Sequence, residues 1–484
     1  MELSKILTQY PEFQNWALDK KMESKELDIL TEISESKTLN PVLNWIVKYS
    51  PSHSLGFQIL ELSGELLLLN HDLTSLFKTE NNPRVLIQKL KELRYPIASS
   101  KLKKEFPKPV LKKQQSSFTK TLDLFEKVYI ESSAQKTEVA QRALGLFPKQ
   151  KIQIIEDDEF KKGTLSASNM DKSKKTLLIK NFKGSFFKRC PGAHPKMMCC
   201  NYYVLNLGQH CEMDCSYCYL QSFINFPAVV IFANIEQAFE ELKELKKTYK
   251  DQYLKIGTGE QTDSLSLDDI NLYSQKLVSF FKDCPKWSLE FKTKSDNVKN
   301  FENEDHIGNV IVSWSINPEY IVQKEEHKTA SLKQRFKAAQ KVKDKGFPIS
   351  FHIDPMIYHE EWEKNYGQLV EQIAENFSPK EVTRISLGAL RFQASQKALM
   401  RKRFGMESLV CKSELFTAKD GKLRYENNIR QKMFSFMNQK LKDHGFNVFL
   451  CMETPENWLN SMNSLPKKIP GIKKDFDLQI TKHI

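Results

Sequence analysis

No run of about 18 consecutive apolar residues occurs in the 484-residue chain, so no helical membrane span is expected. The opening stretch MELSKILTQYPEFQNW carries acidic residues and no long apolar core, and no secretory signal peptide is expected from it. A disulfide framework is also missing from the pattern. The nine cysteines, at 190, 199, 200, 211, 215, 218, 284, 411 and 451, crowd between 190 and 218 instead of spreading evenly. In a chain of this length such crowding points to metal ligation in a reducing compartment, here read as the cytoplasm. Residues 1–100 hold no chemical motif.

What is present is basic. Lys and Arg number 73 against 60 Asp and Glu, a formal charge of +13 with pI near 9.0, which favours a polyanionic partner, nucleic acid first. The apolar share of 40% and charged share of 27% are those of a globular protein with room for two or three domains or a barrel with an appendage.

Residues 1–100 are expected to be helical, because LDILTEI (27–33) and VLNWIVKY (42–49) space apolar residues at three and four. Residues 59–77 read either as a helix pair broken at Gly64 or as a hairpin. Residues 101–120, with seven lysines and two prolines, read as an exposed basic linker.

From about residue 125 strands and helices alternate. Strands are expected at 128–131, 151–156, 176–181, 203–208, 253–260, 288–294, 310–317, 349–355, 383–392 and 447–452. Helices are expected at 134–146, 235–249, 330–345, 361–376 and 427–443, with another after 260 capped by Ser266. The strands are too apolar to be one-sided, which predicts a parallel sheet buried on both faces. The fold class is α/β, a full or partial (β/α) barrel with a mainly helical N-terminal extension. The division is 1–100 extension, 101–120 linker, 121–200 α/β lead-in, 201–460 barrel and 461–484 tail.

Directly after the first barrel strand comes CEMDCSYCYLQ (211–221), placing Cys211, Cys215 and Cys218 within eight residues. A structural zinc site wants four protein ligands, and His210 abuts Cys211 too closely to complete one. Three thiolates suit a [4Fe–4S] cluster with one iron open. At the ends of neighbouring strands stand Glu260 (GTGE), Lys294 (FKTK) and Ser315 and Asn317 (SWSIN). Glu260 could accept from an ammonium, and glycines 257 and 259 would allow close backbone approach. Lys294 could meet a carboxylate or be solvated, and Ser315 and Asn317 could bond a ribose or carboxylate or cap a helix. His352 and Asp354, on one side of a strand, could form an acid–base or metal pair or a satisfied polar pair. Glu453 could face the mouth or cap a helix. Cys190, Cys199 and Cys200 read as buried small residues, as ligands of a second metal, or as a donor thiol folded near the site. Cys284 and Cys411 read as structural.

The cysteine spacing, the preceding strand and Tyr217 before Cys218 resemble the radical S-adenosylmethionine superfamily. CSYCYLQ resembles the spore photoproduct lyase family within it. That resemblance extends through VYIE (128–131), TKSDNV (293–298), SWSIN (313–317), the run 329–355, HEEW (359–362) and LRF (390–392). It implies a partial (β/α)6-type barrel, a [4Fe–4S] cluster on Cys211, Cys215 and Cys218, and reductive cleavage of S-adenosylmethionine to a 5′-deoxyadenosyl radical. Glu260, Thr262, Lys294, Ser315 and Asn317 would hold S-adenosylmethionine, Tyr217 and Tyr219 would lie by the radical path, and Arg391 would touch DNA. The implied partners are DNA carrying an ultraviolet thymine photoproduct and an electron donor such as flavodoxin or ferredoxin. One departure stands out. The lyases place a hydrogen-donating cysteine two residues before the position of Thr262, where this chain has Glu260.

Overall fold

The computed structural model describes residues 3–95, 121–160, 167–224, 226–302, 308–469 and 473–476. The basic linker expected at 101–120, and residues 477–484 of the expected tail, lie outside the described residues. Two compact units are found, one of residues 1–111 with Ser395–Glu414, the other of 112–394 with 415–484.

The first unit is helical, as its periodicity predicts. Helices Pro11–Asp19, Leu39–Tyr49, His53–Leu68 and Pro83–Arg94 turn apolar faces into one core that includes Phe13, Leu43, Leu60 and Leu90. Neither expectation for 59–77 holds. Helix His53–Leu68 runs unbroken through Gly64, and the break comes later, before Thr74–Thr79. A Cβ on Gly64 would lie 2.3 Å from Ile29 Cγ1, so this glycine permits close helix packing and ends nothing. The unit also takes in Ser395–Glu414, a segment that the sequence division counts with the barrel.

The second unit carries two sheets. A smaller one has the order 152–155, 127–131, 176–180, 229–232, 208–209, and is parallel except at its last pair. Its strand Val229–Phe232 has no counterpart in the sequence expectations. The larger sheet has seven parallel strands: β1 Tyr202–Leu205, β2 Leu254–Gly257, β3 Trp287–Thr293, β4 Val310–Ser315, β5 Ile349–Met356, β6 Val382–Ala389 and β7 Val448–Leu450. They pair in sequence order, with Phe187–Arg189 added antiparallel to β1. The sheet curls without closing, so the expected partial barrel is present. Nearly every residue of β2, β4 and β6 is buried, as strands covered on both faces must be.

Helix Ile235–Tyr249 matches its expectation and buries Ile235, Ala238 and Leu242. Leu332–Asp344 begins at Ser331, whose hydroxyl accepts from Gln334 N in a capping box. Ser266 is not a helix cap. The helix there starts at Asp268, and the Asp263 carboxylate accepts from the amides of Leu265 and Ser266, both at 3.0 Å. At the amino ends of the strands Asp475, from the segment expected to be a tail, accepts from Tyr253 Oη at 2.7 Å and pairs with Arg384 at 3.2 Å.

Candidate active site at the carboxyl ends of the strands

Beyond β1 the chain makes the short strand Gly208–Gln209, a left-handed residue at His210, and then the cysteine loop. The loop is tied from several sides. Asp214–Cys215 pairs antiparallel with Glu326–His327. Ser216 N donates to Glu325 O at 2.8 Å, and Cys218 N to Cys215 O at 3.1 Å. Lys174 Nζ donates to Cys211 O at 3.2 Å and also to Met213 O. His210 turns its Nε2 to Ser173 Oγ at 2.7 Å, away from any ligating role.

Among the described residues no two of the nine cysteines are joined in a disulfide. Burial pushes Cys211 well above its ordinary range and Cys215 up to about 12, and the neighbouring Cys218 adds a smaller upward push to each. Among the described residues no group of three or more Cys, His, Asp or Glu side chains is closed into a metal-holding geometry. The donor chemistry nevertheless fits a cluster that asks the protein for three thiolates, on a loop whose backbone is already pinned.

Around the loop the expected residues divide into two groups. Thr262 and Asn317 are committed to the protein. Thr262 Oγ1 donates to His210 O at 3.0 Å, and Asn317 Nδ2 donates to Glu326 Oε1 at 3.0 Å. The Tyr217 phenol donates to the same Glu326 oxygen. Arg335 Nη2 faces the other oxygen at 2.6 Å, with both side chains out of water. Lys294 and Ser315 keep functional atoms uncommitted. The Lys294 ammonium stands 5.7 Å from the Tyr217 ring centroid with no ion pair within 4 Å, and the Ser315 hydroxyl makes no hydrogen bond with a described residue.

Glu260 accepts from the Tyr219 phenol at 2.6 Å. Tyr219 is 37% exposed and packs edge-on to the exposed Phe223. The glycines of GTGE serve the protein itself. A Cβ on Gly257 would lie 1.5 Å from Tyr202 Oη, and one on Gly259 would lie 2.7 Å from Lys292 O.

The expected pairing of His352 with Asp354 is replaced by two separate pairs. His352 Nε2 meets Glu290 Oε1 at 2.9 Å, and Asp354 grips Arg391 with both oxygens, at 2.8 and 2.9 Å. Burial depresses His352 to about 4. Burial pushes the Asp354 carboxyl up, but Arg391 outweighs it and holds the group down at about 2. Glu453 neither faces the mouth nor caps a helix. It is fully buried, held by Arg430 at 2.6 Å and by Asn457 at 2.7 Å, while Thr454 caps the helix that follows. Cys284 and Cys411 are buried, as structural residues should be.

Two residues escaped the sequence reading. Glu326 sits in EEHKTAS, which carries no pattern of its own. Asp263, on the loop after β2, accepts from Thr293 Oγ1 at 2.6 Å and Lys294 N at 2.8 Å, and so locks that loop to the end of β3.

A curled parallel sheet with a three-thiol loop after its first strand defines a radical S-adenosylmethionine fold. The sequence profile described as "Spore photoproduct lyase" matches residues 124–449, and the chain belongs to that family as a radical S-adenosylmethionine protein of lyase type. It is 25% identical over 234 residues to the spore photoproduct lyase of Bacillus subtilis (strain 168), covering 48% of this chain and 68% of that one. The Clostridium acetobutylicum lyase is 22% identical over 316 residues, 64% of this chain and 91% of its own. A solved mutant spore photoproduct lyase with bound AdoMet and dinucleoside spore photoproduct shares the fold at TM-score 0.60 and 20% identity, over 68% of this chain and 99% of that one. No helix among the described residues is long and apolar enough to cross a membrane.

Proposed function

We propose that this chain binds a [4Fe–4S] cluster through Cys211, Cys215 and Cys218 and acts with S-adenosylmethionine on an ultraviolet thymine photoproduct in DNA. The supporting observation is the thiol triplet at the carboxyl edge of β1, with the uncommitted Lys294 beside it and Ser315 at the carboxyl end of β4. The bound cofactors would supply a 5′-deoxyadenosyl radical by reductive cleavage of the sulfonium. The remaining work belongs to the chain. Lys294 and Ser315 bind carboxylate or ribose oxygens, and Glu260, aligned by Tyr219, accepts from an ammonium. Thr262 and Asn317 act at one remove, by fixing His210 O and Glu326. Tyr217 and Tyr219 border the reacting centre and exclude water and stray thiols from it. Arg391, oriented by Asp354, would touch the nucleic-acid backbone, and the charge of +13 suits that partner. A reduced flavodoxin or ferredoxin would supply the electron in a reducing cytoplasm.

Glu260 favours a second reading, in which the same chemistry acts on RNA, a peptide or a small molecule. A carboxylic acid O–H is a poor hydrogen-atom donor where the resemblance implies a thiol. Anaerobic reconstitution with iron and sulfide should give a broad band near about 400 nm. Replacing any one of Cys211, Cys215 or Cys218 with Ala should abolish it, whereas a zinc-loaded, colourless protein would defeat both readings. A lesion-bearing oligonucleotide, S-adenosylmethionine and reductant should then yield restored thymidine. Formation of 5′-deoxyadenosine with the lesion intact would reject repair and leave the second reading.

A further inference from the structure

The barrel interior holds charge that is almost, but not fully, matched. Lys255, Lys292, Arg384 and Arg391 share three carboxylates, Glu290, Asp354 and Asp475, among the described residues of the strands and the floor. Three of these cations are answered. Lys255 lies 3.5 Å from Asp475, Arg384 lies 3.2 Å from the same carboxylate, and Arg391 is bidentate on Asp354. Glu290 gives Oε1 to His352 at 2.9 Å and Ser313 at 2.6 Å. His352, depressed by burial, is neutral at pH 7 and adds no positive charge.

Lys292 is the remainder. It lies on β3 two residues from Glu290, so both side chains point to the same face of the sheet. Its ammonium stands 5.5 Å from the Tyr202 ring centroid and makes no ion pair or hydrogen bond with any described residue. Its stem is fixed. Lys292 N donates to Ser264 Oγ at 2.9 Å, Ser264 N returns to Lys292 O at 3.2 Å, and Gly259 packs too close for a Cβ. Its charge acts on Cys190, His352, Asp354 and Cys451, none of them in the cysteine loop. Lys294, two residues on, is the cation beside that loop.

An ammonium without an ion pair, on a strand whose same-face carboxylate Glu290 is already held by His352 and Ser313, is a seat for an anion. We propose that Lys292 receives an oxyanion of the bound substrate, a phosphodiester where the substrate is DNA. This rests on the reading of the barrel mouth as the reaction site. It assigns Lys294 to the cofactor and Lys292 to the substrate.

The test is acetylation of the reconstituted full chain by an N-hydroxysuccinimide ester, followed at Lys292 by peptide mass spectrometry with exposed Lys333 as reference. It is run with inorganic phosphate, S-adenosylmethionine, the phosphate-linked photoproduct dinucleotide and the dinucleoside lacking that phosphate. The dinucleotide should slow labelling of Lys292 about fivefold or more, and the dinucleoside should not. Lys292→Gln should bind the dinucleotide about tenfold more weakly and the dinucleoside as the wild type does, with Lys292→Arg restoring most of the affinity. Protection by inorganic phosphate without protection by the dinucleotide would sustain the anion seat and count against DNA. Protection by S-adenosylmethionine alone would overturn the proposal by giving Lys292 to the cofactor. Equal labelling in every arm would overturn it outright. Loss of the roughly 400 nm band or of cofactor cleavage is read separately and bears on the proposed function alone.

Discussion

Glu326 accepts from Tyr217 and Asn317 with one oxygen and faces Arg335 with the other, while its backbone pairs with Cys215. Arg335 also donates to the carbonyls of Ala330 and Ser315, both at 2.8 Å. Removing the carboxylate would strand a buried guanidinium. Glu326→Ala should therefore lose roughly 3–5 kcal/mol of stability in urea unfolding, and Glu326→Gln distinctly less. No spacing in EEHKTAS announces this, because Tyr217 lies 109 residues away, and Asn317 and Arg335 lie outside the segment at a separation that matches no helix or strand period. Cys211, Cys215 and Cys218 are the opposite case, since their relation is local and was legible at once. His352 offers a pH test. Its folded value of about 4 lies below the unfolded value of about 6.5, so the unfolded chain binds the proton first. Its contribution is complete above about pH 6.5 and is lost as pH falls towards 4, up to about 3 kcal/mol. Urea unfolding at pH 7, 6 and 5 should show that slope, flattened in His352→Gln. An unchanged slope in the variant would place the acid sensitivity elsewhere.

At the scale of elements, two glycines changed meaning between sequence and structure. Gly64 read as a break and proved to be a contact surface inside helix His53–Leu68. Gly257 read as room for a cofactor and proved to be room for Tyr202, whose hydroxyl would lie 1.5 Å from an added Cβ. A glycine needed for close approach and one needed for a turn are the same letter, and only the neighbouring element tells them apart. Gly64→Ala and Gly257→Ala should each cost about 1–3 kcal/mol by overpacking, read as a lowered urea midpoint with an unchanged slope. Strand and helix identities were more legible, because two-sided burial writes continuous apolar runs and helix faces write a period of 3.6. The short strands Arg391–Gln393 and Phe416–Thr417, each antiparallel to Lys422–Arg424 between them, are too short to leave such a trace.

At the scale of the whole molecule, the N-terminal helices have recruited Ser395–Glu414 into their own unit. The joint is electrostatic. Fully buried Glu65 meets Arg94 at 2.7 Å and Lys397 at 3.0 Å, and although burial raises its carboxyl the cations bring it down to about 2. Arg401 pairs with Glu32 at 2.8 Å. Glu65→Ala should destabilise this unit by roughly 3–5 kcal/mol and open the 395–414 segment to trypsin at Lys397 and Arg401, measured by limited proteolysis. Cleavage no faster than in wild type would show that the joint holds without this carboxylate. By itself the sequence determined the alternation of strands and helices, the partial barrel, and the thiol triplet after β1, because each is written within a few consecutive residues. Only the tertiary structure decided that Glu326 and Asp263 organise the site, that His352 and Asp354 take separate partners, and that Lys292 is left without one. Those outcomes depend on which charges meet across the sheet, and in a buried interior the meeting of charges is set by packing among distant strands, which no local pattern encodes.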